Sequence, residues 1–167
     1  MQRQHLTTVG SHAFIVSNSL GDIEAGAGQG LFVADTRFLS KYILSLGGEE
    51  PILLRSGLVG PLDTHIYATN PVLDSVPSNT IEVVRRRRLG EAFTETITLI
   101  NRGDQPVQTE LAFAFDTDFA DIFEVRSMVT SVPPRRSTGR TRDRSIVFRD
   151  RRQRHGRKTR VQFTPTP

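Results

Sequence analysis

The sequence predicts an all-β protein, an antiparallel β-sandwich, and three observations carry that prediction. Apolar and polar residues alternate with a period near two through most of the ordered-looking stretches, which is the strand period. Turn residues (Gly, Pro, Asn and Asp) recur at roughly the 8–12-residue spacing of short antiparallel strands. No stretch sustains the 3.6-residue period of a long helix. The best helical candidate is a single turn, in which Phe119, Ile122 and Phe123 share a face and Asp116 or Asp118 serves as cap.

The elements follow in chain order. Residues 1–12 are polar and are expected to form a flexible N-terminus. Ala13-Phe14-Ile15-Val16 reads as a buried strand, and Asn18 to Asp22 as a turn. Gly26-Ala27-Gly28-Gln29-Gly30 has the glycine density of a phosphate loop without its spacing. The strand Leu31-Phe32-Val33 follows it, where phosphate binding needs a helix N-terminus, so it reads as a flexible loop. Phe38, Tyr42, Leu44 and Leu46 alternate with Lys41, Ile43 and Ser45. Gly47-Gly48-Glu49-Glu50-Pro51 then predicts a hairpin into Ile52-Leu53-Leu54. Thr64 to Thr69 is a further strand, and Pro71 to Asn79 a loop.

Thr80 to Asn101 is the clearest hairpin. Ile81 and Val83 lead into Arg85-Arg86-Arg87-Arg88, Leu89-Gly90-Glu91 turns the chain, and Phe93, Ile97 and Leu99 return on alternate positions. At strand period the four arginines split between two faces, solvated or paired with acids. Val107, Thr109, Leu111, Phe113 and Phe115 predict the main core strand, which ends in an acidic corner. Beyond Pro133-Pro134 and a polar stretch to Arg144, Ser145 to Arg149 and Arg157 to Phe163 read as two strands, with Arg154 to Lys158 as their hairpin tip.

Composition narrows the function classes. At 167 residues the chain suits one domain, a single sandwich over residues 13–167. With no cysteine, disulfides, thiol catalysis and Cys-based zinc or iron–sulfur sites are excluded. No apolar run approaches the roughly 20 residues of a membrane helix, and the N-terminal apolar run is too short for a signal peptide. A soluble cytoplasmic protein is the expectation, without a membrane partner. Charge is unevenly spread. Residues 133–167 hold twelve bases and two acids, a net +10, whereas residues 1–132 hold ten bases and sixteen acids, a net −6. All bases but Lys41 and Lys158 are arginine, which fits either a GC-rich genome or phosphate recognition by guanidinium forks.

The stretch Asp116-Thr117-Asp118-Phe119-Ala120-Asp121-Ile122-Phe123-Glu124-Val125-Arg126 sets four carboxylates among core-seeking apolar residues. Such carboxylates need cations or backbone N–H groups to answer them. Arg126 is the expected near counter-charge and Arg37 the expected distant one, forming bidentate pairs with Asp118, Asp121 or Glu124. Together with Asp35 these residues form a candidate structural or interface motif. An EF-hand reading fails, because Asp121 stands where that loop needs glycine. The four histidines lack metal-ligand spacing, and neither a metal nor a cofactor site is expected.

Two segments resemble one family. Gly30-Leu31-Phe32 with Asp35-Thr36-Arg37-Phe38-Leu39-Ser40 looks like its "GLF…DTRxLS" signature, and Asp118 to Arg126 like its "DFADIFEVR" signature. The family is the N-terminal β-domain of bacterial glycogen debranching enzyme-like proteins of the amylo-α-1,6-glucosidase type. The likeness spans roughly residues 11–165 and departs from the family at Ser127, where a glycine is usual. The resemblance implies a sandwich with no chemistry of its own. Hydrolysis there belongs to a C-terminal (α/α)6 toroid, which this sequence lacks, and contact with glucan is at most indirect. The last sandwich strands are also expected to be missing after Pro167, so that the chain is a fragment, a split gene or a remnant. The rival reading is a basic β-protein that binds nucleic acid through residues 135–160.

Overall fold

The computed structural model describes residues 5–24, 28–126, 138–142, 144–150 and 156–164. Among the described residues it has thirteen antiparallel strands and one helical turn. The strands are β1 (Leu6–Val9), β2 (Ala13–Ser17), β3 (Gly30–Val33), β4 (Thr36–Leu39), β5 (Lys41–Leu46), β6 (Ile52–Leu58), β7 (Asp63–Thr69), β8 (Ile81–Leu89), β9 (Phe93–Asn101), β10 (Leu111–Asp116), β11 (Thr138–Arg142), β12 (Ser145–Arg149) and β13 (Lys158–Gln162). The helical turn, α1, covers Ile122–Val125. Among the described residues no helix is long and apolar enough to cross a membrane.

The strands form sheets in the order β6-β7-β8-β9, β1-β2-β3-β4, β10-β5 and β11-β12-β13. The β6–β9 sheet is one layer of the sandwich. Its central strand β8 turns Ile81, Val83, Arg85, Arg87 and Leu89 inward at strict period two, and all five are buried. β2, β5 and β10 supply the facing layer. Leu46, Ala68, Ile81 and Val83 pack into one apolar cluster, and Ile15, Ile23, Leu39, Tyr42 and Leu89 into another. Two guanidinium groups therefore lie between two apolar clusters, on the inner face of a central strand.

Several elements differ from the sequence expectation. Leu6–Val9, inside the stretch expected to be flexible, pairs with β2 along its whole length, and Thr8 Oγ1 bonds Thr64 Oγ1 at 2.8 Å. The predicted hairpin across Gly47–Pro51 does not form. β5 pairs instead with β10 (Phe113 opposite Leu44), and β6 joins β7 in another sheet. Gly47 and Gly48, both at positive φ, turn the chain from one sheet to the other. The core strand predicted from Val107 begins only at Leu111, and its residues are half-buried rather than buried. β11 was not expected at all; it pairs with β12 through Thr138 to Arg142. The β8–β9 hairpin appears as predicted, with Leu89 opposite Phe93. Ser127, Arg154 and His155 of the predicted hairpin tip, and Gly26 and Ala27 of the predicted loop lie outside the described residues.

Candidate functional site

Two polar constellations and one cleft are the chemically distinctive features. The first is the corner where the two signature segments meet. Ala34 and Asp35 both take positive φ, 42° and 63°, as the two-residue turn between β3 and β4 requires. That hairpin lays its backbone against residues 120–122. Arg37 N donates to Ala120 O at 2.8 Å, and Ile122 N to Asp35 O at 2.8 Å. Arg37 then grips Asp118 with a two-point contact, Nε to Oδ1 at 3.1 Å and Nη2 to Oδ2, while its Nη1 donates to Gln29 O at 3.1 Å. The Arg37 side chain lies against Gly30. A Cβ built on that glycine would stand 2.5 Å from Arg37 Cδ and 3.0 Å from Leu39 O. The glycine of the first signature is thus the space that its arginine occupies.

The other predicted site residues take different parts. Asp121, not Asp116 or Asp118, is the helix cap. Its side chain accepts from Phe123 N at 2.8 Å, and Glu124 reaches back to Asp121 N at 2.9 Å, a complete capping box. Both carboxylates answer backbone N–H groups. Arg126 is exposed and forms no ion pair among the described residues, so the expected pairs with Arg126 are replaced by the cap. Asp35 is exposed and contributes its carbonyl. The structure brings Arg37, Asp118, Asp121, Glu124 and the Asp35 backbone together and leaves Arg126 at the rim.

The second constellation contains two of the four consecutive arginines of β8, and here the acid-paired alternative holds. Arg85 donates from Nε to Glu95 Oε1 at 2.5 Å, and from Nη1 to Asp22 Oδ1 and Leu20 O at 2.6 Å each. Arg87 Nε donates to Glu95 Oε2 at 2.9 Å. All four side chains are at most 6% exposed. Both guanidiniums lie over the Tyr42 ring, 5.2 and 5.4 Å from its centroid, a cation–π arrangement. Burial works against the charge on Glu95, but Arg87 and Arg85 outweigh it and hold its carboxyl below the ordinary glutamate range. Burial pushes Asp22 up, and Arg85 draws it back only in part. The signal for this network was present in the hairpin: a ladder that pairs Leu89 with Phe93 must pair Arg87 with Glu95.

The cleft lies beside this network. It measures about 500 Å³ and is lined chiefly by Tyr42, Phe93, Ile97, Phe113, Phe115 and Phe163. Tyr42 stacks on Phe115 at 4.9 Å, and Phe113 sits 5.5 Å from Phe163. Among the described residues its one carboxylate is Glu95, already held by two guanidiniums. A shallower depression adjoins Asp22, Glu24 and Glu50, with Asp22 bound to Arg85 and Glu24 accepting from Asn18 Nδ2 at 3.1 Å. Among the described residues no group of three or more His, Asp or Glu side chains could hold a metal ion.

Comparison with known proteins gives one match. A family model described as the N-terminal domain of some glycogen debranching enzymes covers residues 10–167. No curated protein and no solved structure matches the chain.

Proposed function

The chain belongs to the family of N-terminal domains of glycogen debranching enzymes, and from that premise we propose that it is a non-catalytic accessory domain acting beside a helical glycosidase domain. The single observation that carries this reading is the aromatic cleft. Glycoside hydrolysis uses two carboxylates about 5–9 Å apart across the scissile bond, one of them with a raised pKa. Among the described residues the cleft offers Glu95 alone, buried against Arg85 and Arg87, which hold its carboxyl below the ordinary glutamate range. A carboxylate fixed in that way is neither a proton donor nor a free nucleophile. The rings of Phe113, Phe115 and Phe163 instead give the cleft the apolar character of a packing surface.

In this reading the ion-paired corner of Arg37 and Asp118 holds the β3–β4 hairpin and α1 as one rigid edge, to which the helical domain docks. Phe123, 55% exposed on α1, supplies apolar area there. Glucan contact is indirect, through that neighbour, and the setting is carbohydrate metabolism in a bacterial cytoplasm. Co-expression of the chain with a helical glycosidase domain of the same family tests the proposal. A co-purifying complex is expected, with α-1,6-glucosidase activity in the helical partner and none in the chain alone. Activity in the isolated chain, or Phe123→Asp leaving the complex intact, would overturn it.

A further inference from the structure

We propose that the outer face of the β11–β12–β13 sheet is a docking surface for the phosphodiester backbone of a nucleic-acid duplex, bound without regard to sequence. The ladder sets Lys158 opposite Arg149, with Thr138 beyond; Arg160 opposite Val147, with Arg140 beyond; and Gln162 opposite Ser145, with Arg142 beyond. Residues directly opposite share a face, and alternate residues along a strand share one too. The six β12 and β13 positions therefore make up one face, on which Arg149, Lys158 and Arg160 are cations, none is an acid, and Ser145 alone is buried. The other face belongs to the body: Thr159 Oγ1 donates to Phe38 O at 2.6 Å, and Phe148 is buried. Arg149, Lys158 and Arg160 are exposed, as is Arg144 at the turn into β12.

Among the described residues these charges meet no carboxylate in an ion pair. Arg37, Arg85, Arg87, Arg88 and Arg102 each meet a carboxylate, whereas among the described residues no ion pair engages Arg144, Arg149, Lys158 or Arg160. Asp150, at the end of β12, is half-buried and already has a partner. Arg149 and Lys158 stand directly opposite one another, a like-charge placement that disfavours the ladder. Folding alone gives no reason for it, whereas a bound polyanion does.

The composition of the face selects among polyanions. It holds no aromatic position, so it lacks the stacking platforms that single strands and sugar rings use. Its one apolar residue, Val147, is no interface core of the kind protein partners need, and such cores are depleted in charge. What remains is Arg149 directly opposite Lys158, about 5 Å away across the ladder, and Arg160 about 6.7 Å further along β13, a cluster of cations suited to a polymer of regularly spaced phosphates.

The test is fluorescence anisotropy of a labelled random-sequence DNA duplex titrated with the full chain over a range of salt. Binding at low salt is expected, weakening linearly on a log–log plot. The double variant Lys158→Glu/Arg160→Glu should lose at least about tenfold in affinity and flatten the slope by about 2. The control Arg55→Glu/Arg86→Glu, which removes two exposed cations from the β6–β9 sheet, should lose far less. Should the glutamate pair fail to fold by circular dichroism, Lys158→Gln/Arg160→Gln takes its place, with the same expected slope change. No retention at low salt, equal losses in test and control, or poly-glutamate binding as tightly as the duplex would each overturn the proposal. The last outcome would assign the face to an acidic protein.

Discussion

The β8–β9 and β12–β13 ladders both place cations at every second position of a strand, yet their charges end in opposite surroundings. In the first, Arg85 and Arg87 point into the sandwich and lie at most 5% exposed. In the second, Lys158 and Arg160 are exposed and among the described residues form no ion pair. Side-chain chemistry is nearly the same; what differs is the residue across the ladder. Arg87 faces Glu95, and a short turn fixes that register. Lys158 faces Arg149. A buried arginine survives only when a carboxylate is delivered with it, because an unpaired buried charge is far more costly than an exposed one. The β8–β9 hairpin delivers that carboxylate from its own second strand, and Asp22 adds another from the facing layer.

The sharpest way to break this comparison is to remove the delivered acid. Glu95→Ala leaves two guanidiniums buried with only Asp22 between them. It should lower stability by about 3–5 kcal/mol, the usual cost of orphaning a buried ion. Arg160→Ala on the meander should stay within about half a kcal/mol, as surface changes do. Urea denaturation of both variants reads the difference. Similar midpoints would mean that the buried network contributes nothing that the exposed one lacks.

Gly21→Ala attacks the same network from the facing layer. Gly21 sits at φ +82°, and a Cβ there would lie 2.6 Å from the Arg87 guanidinium and 2.5 Å from Ile66 Cδ1. Left-handed backbone strain of about 1–2 kcal/mol adds to the displacement of a buried ion pair. The expected loss is a few kcal/mol, seen as a lowered melting temperature. A melting temperature matching wild type would show that the guanidinium moves freely and is not held in place.

Titration sharpens the contrast further. The folded-state pKa of Glu95 lies below its unfolded value. Its contribution is therefore fully present above the unfolded value and is lost as pH falls through the folded one. Asp22, shifted upward, acts in the opposite sense. Comparing wild type with Glu95→Gln isolates Glu95. The stability gap between them should be widest at neutral pH and should shrink on acidification below the ordinary glutamate range. A gap that stays constant down to strongly acidic pH would show that Glu95 is not ionised in its pair.

How much of this the sequence discloses depends on how local the cause is. The β8–β9 hairpin is legible because period-two apolar residues and a glycine turn lie within twenty-odd positions, and its register carries Arg87 to Glu95. The pairing of Arg37 with Asp118 is legible for another reason: two signature segments hold opposite charges that neither can satisfy alone. Local signals also mislead. Gly47-Gly48-Glu49-Glu50-Pro51 has hairpin chemistry, yet β5 finds its partner in β10, far along the chain, because burial of Leu44 and Leu46 outweighs a convenient turn. Thr138–Arg142 has no apolar residue, so no pattern announces β11; its backbone simply completes the ladder that β12 begins. The charges of Asp121 and Glu124 suggest ion pairs, yet their three-residue spacing is that of a capping box.

The smallest effect asks most directly whether the facing residue decides. Arg149→Glu places an acid opposite Lys158, the arrangement that β8 and β9 use at Arg87 and Glu95, but in solvent. Exchanging a like-charge cross-strand pair for an opposite one should raise stability by about 0.2–1 kcal/mol, with added salt erasing the gain. The same change should weaken duplex binding, since it removes one cation and neutralises its neighbour. Stability and polyanion affinity would then move in opposite directions in a single variant, as they must if the meander keeps its charges unpaired for a partner. A variant that gains stability without losing affinity would sever that link and leave the like-charge pair as a feature of the ladder alone.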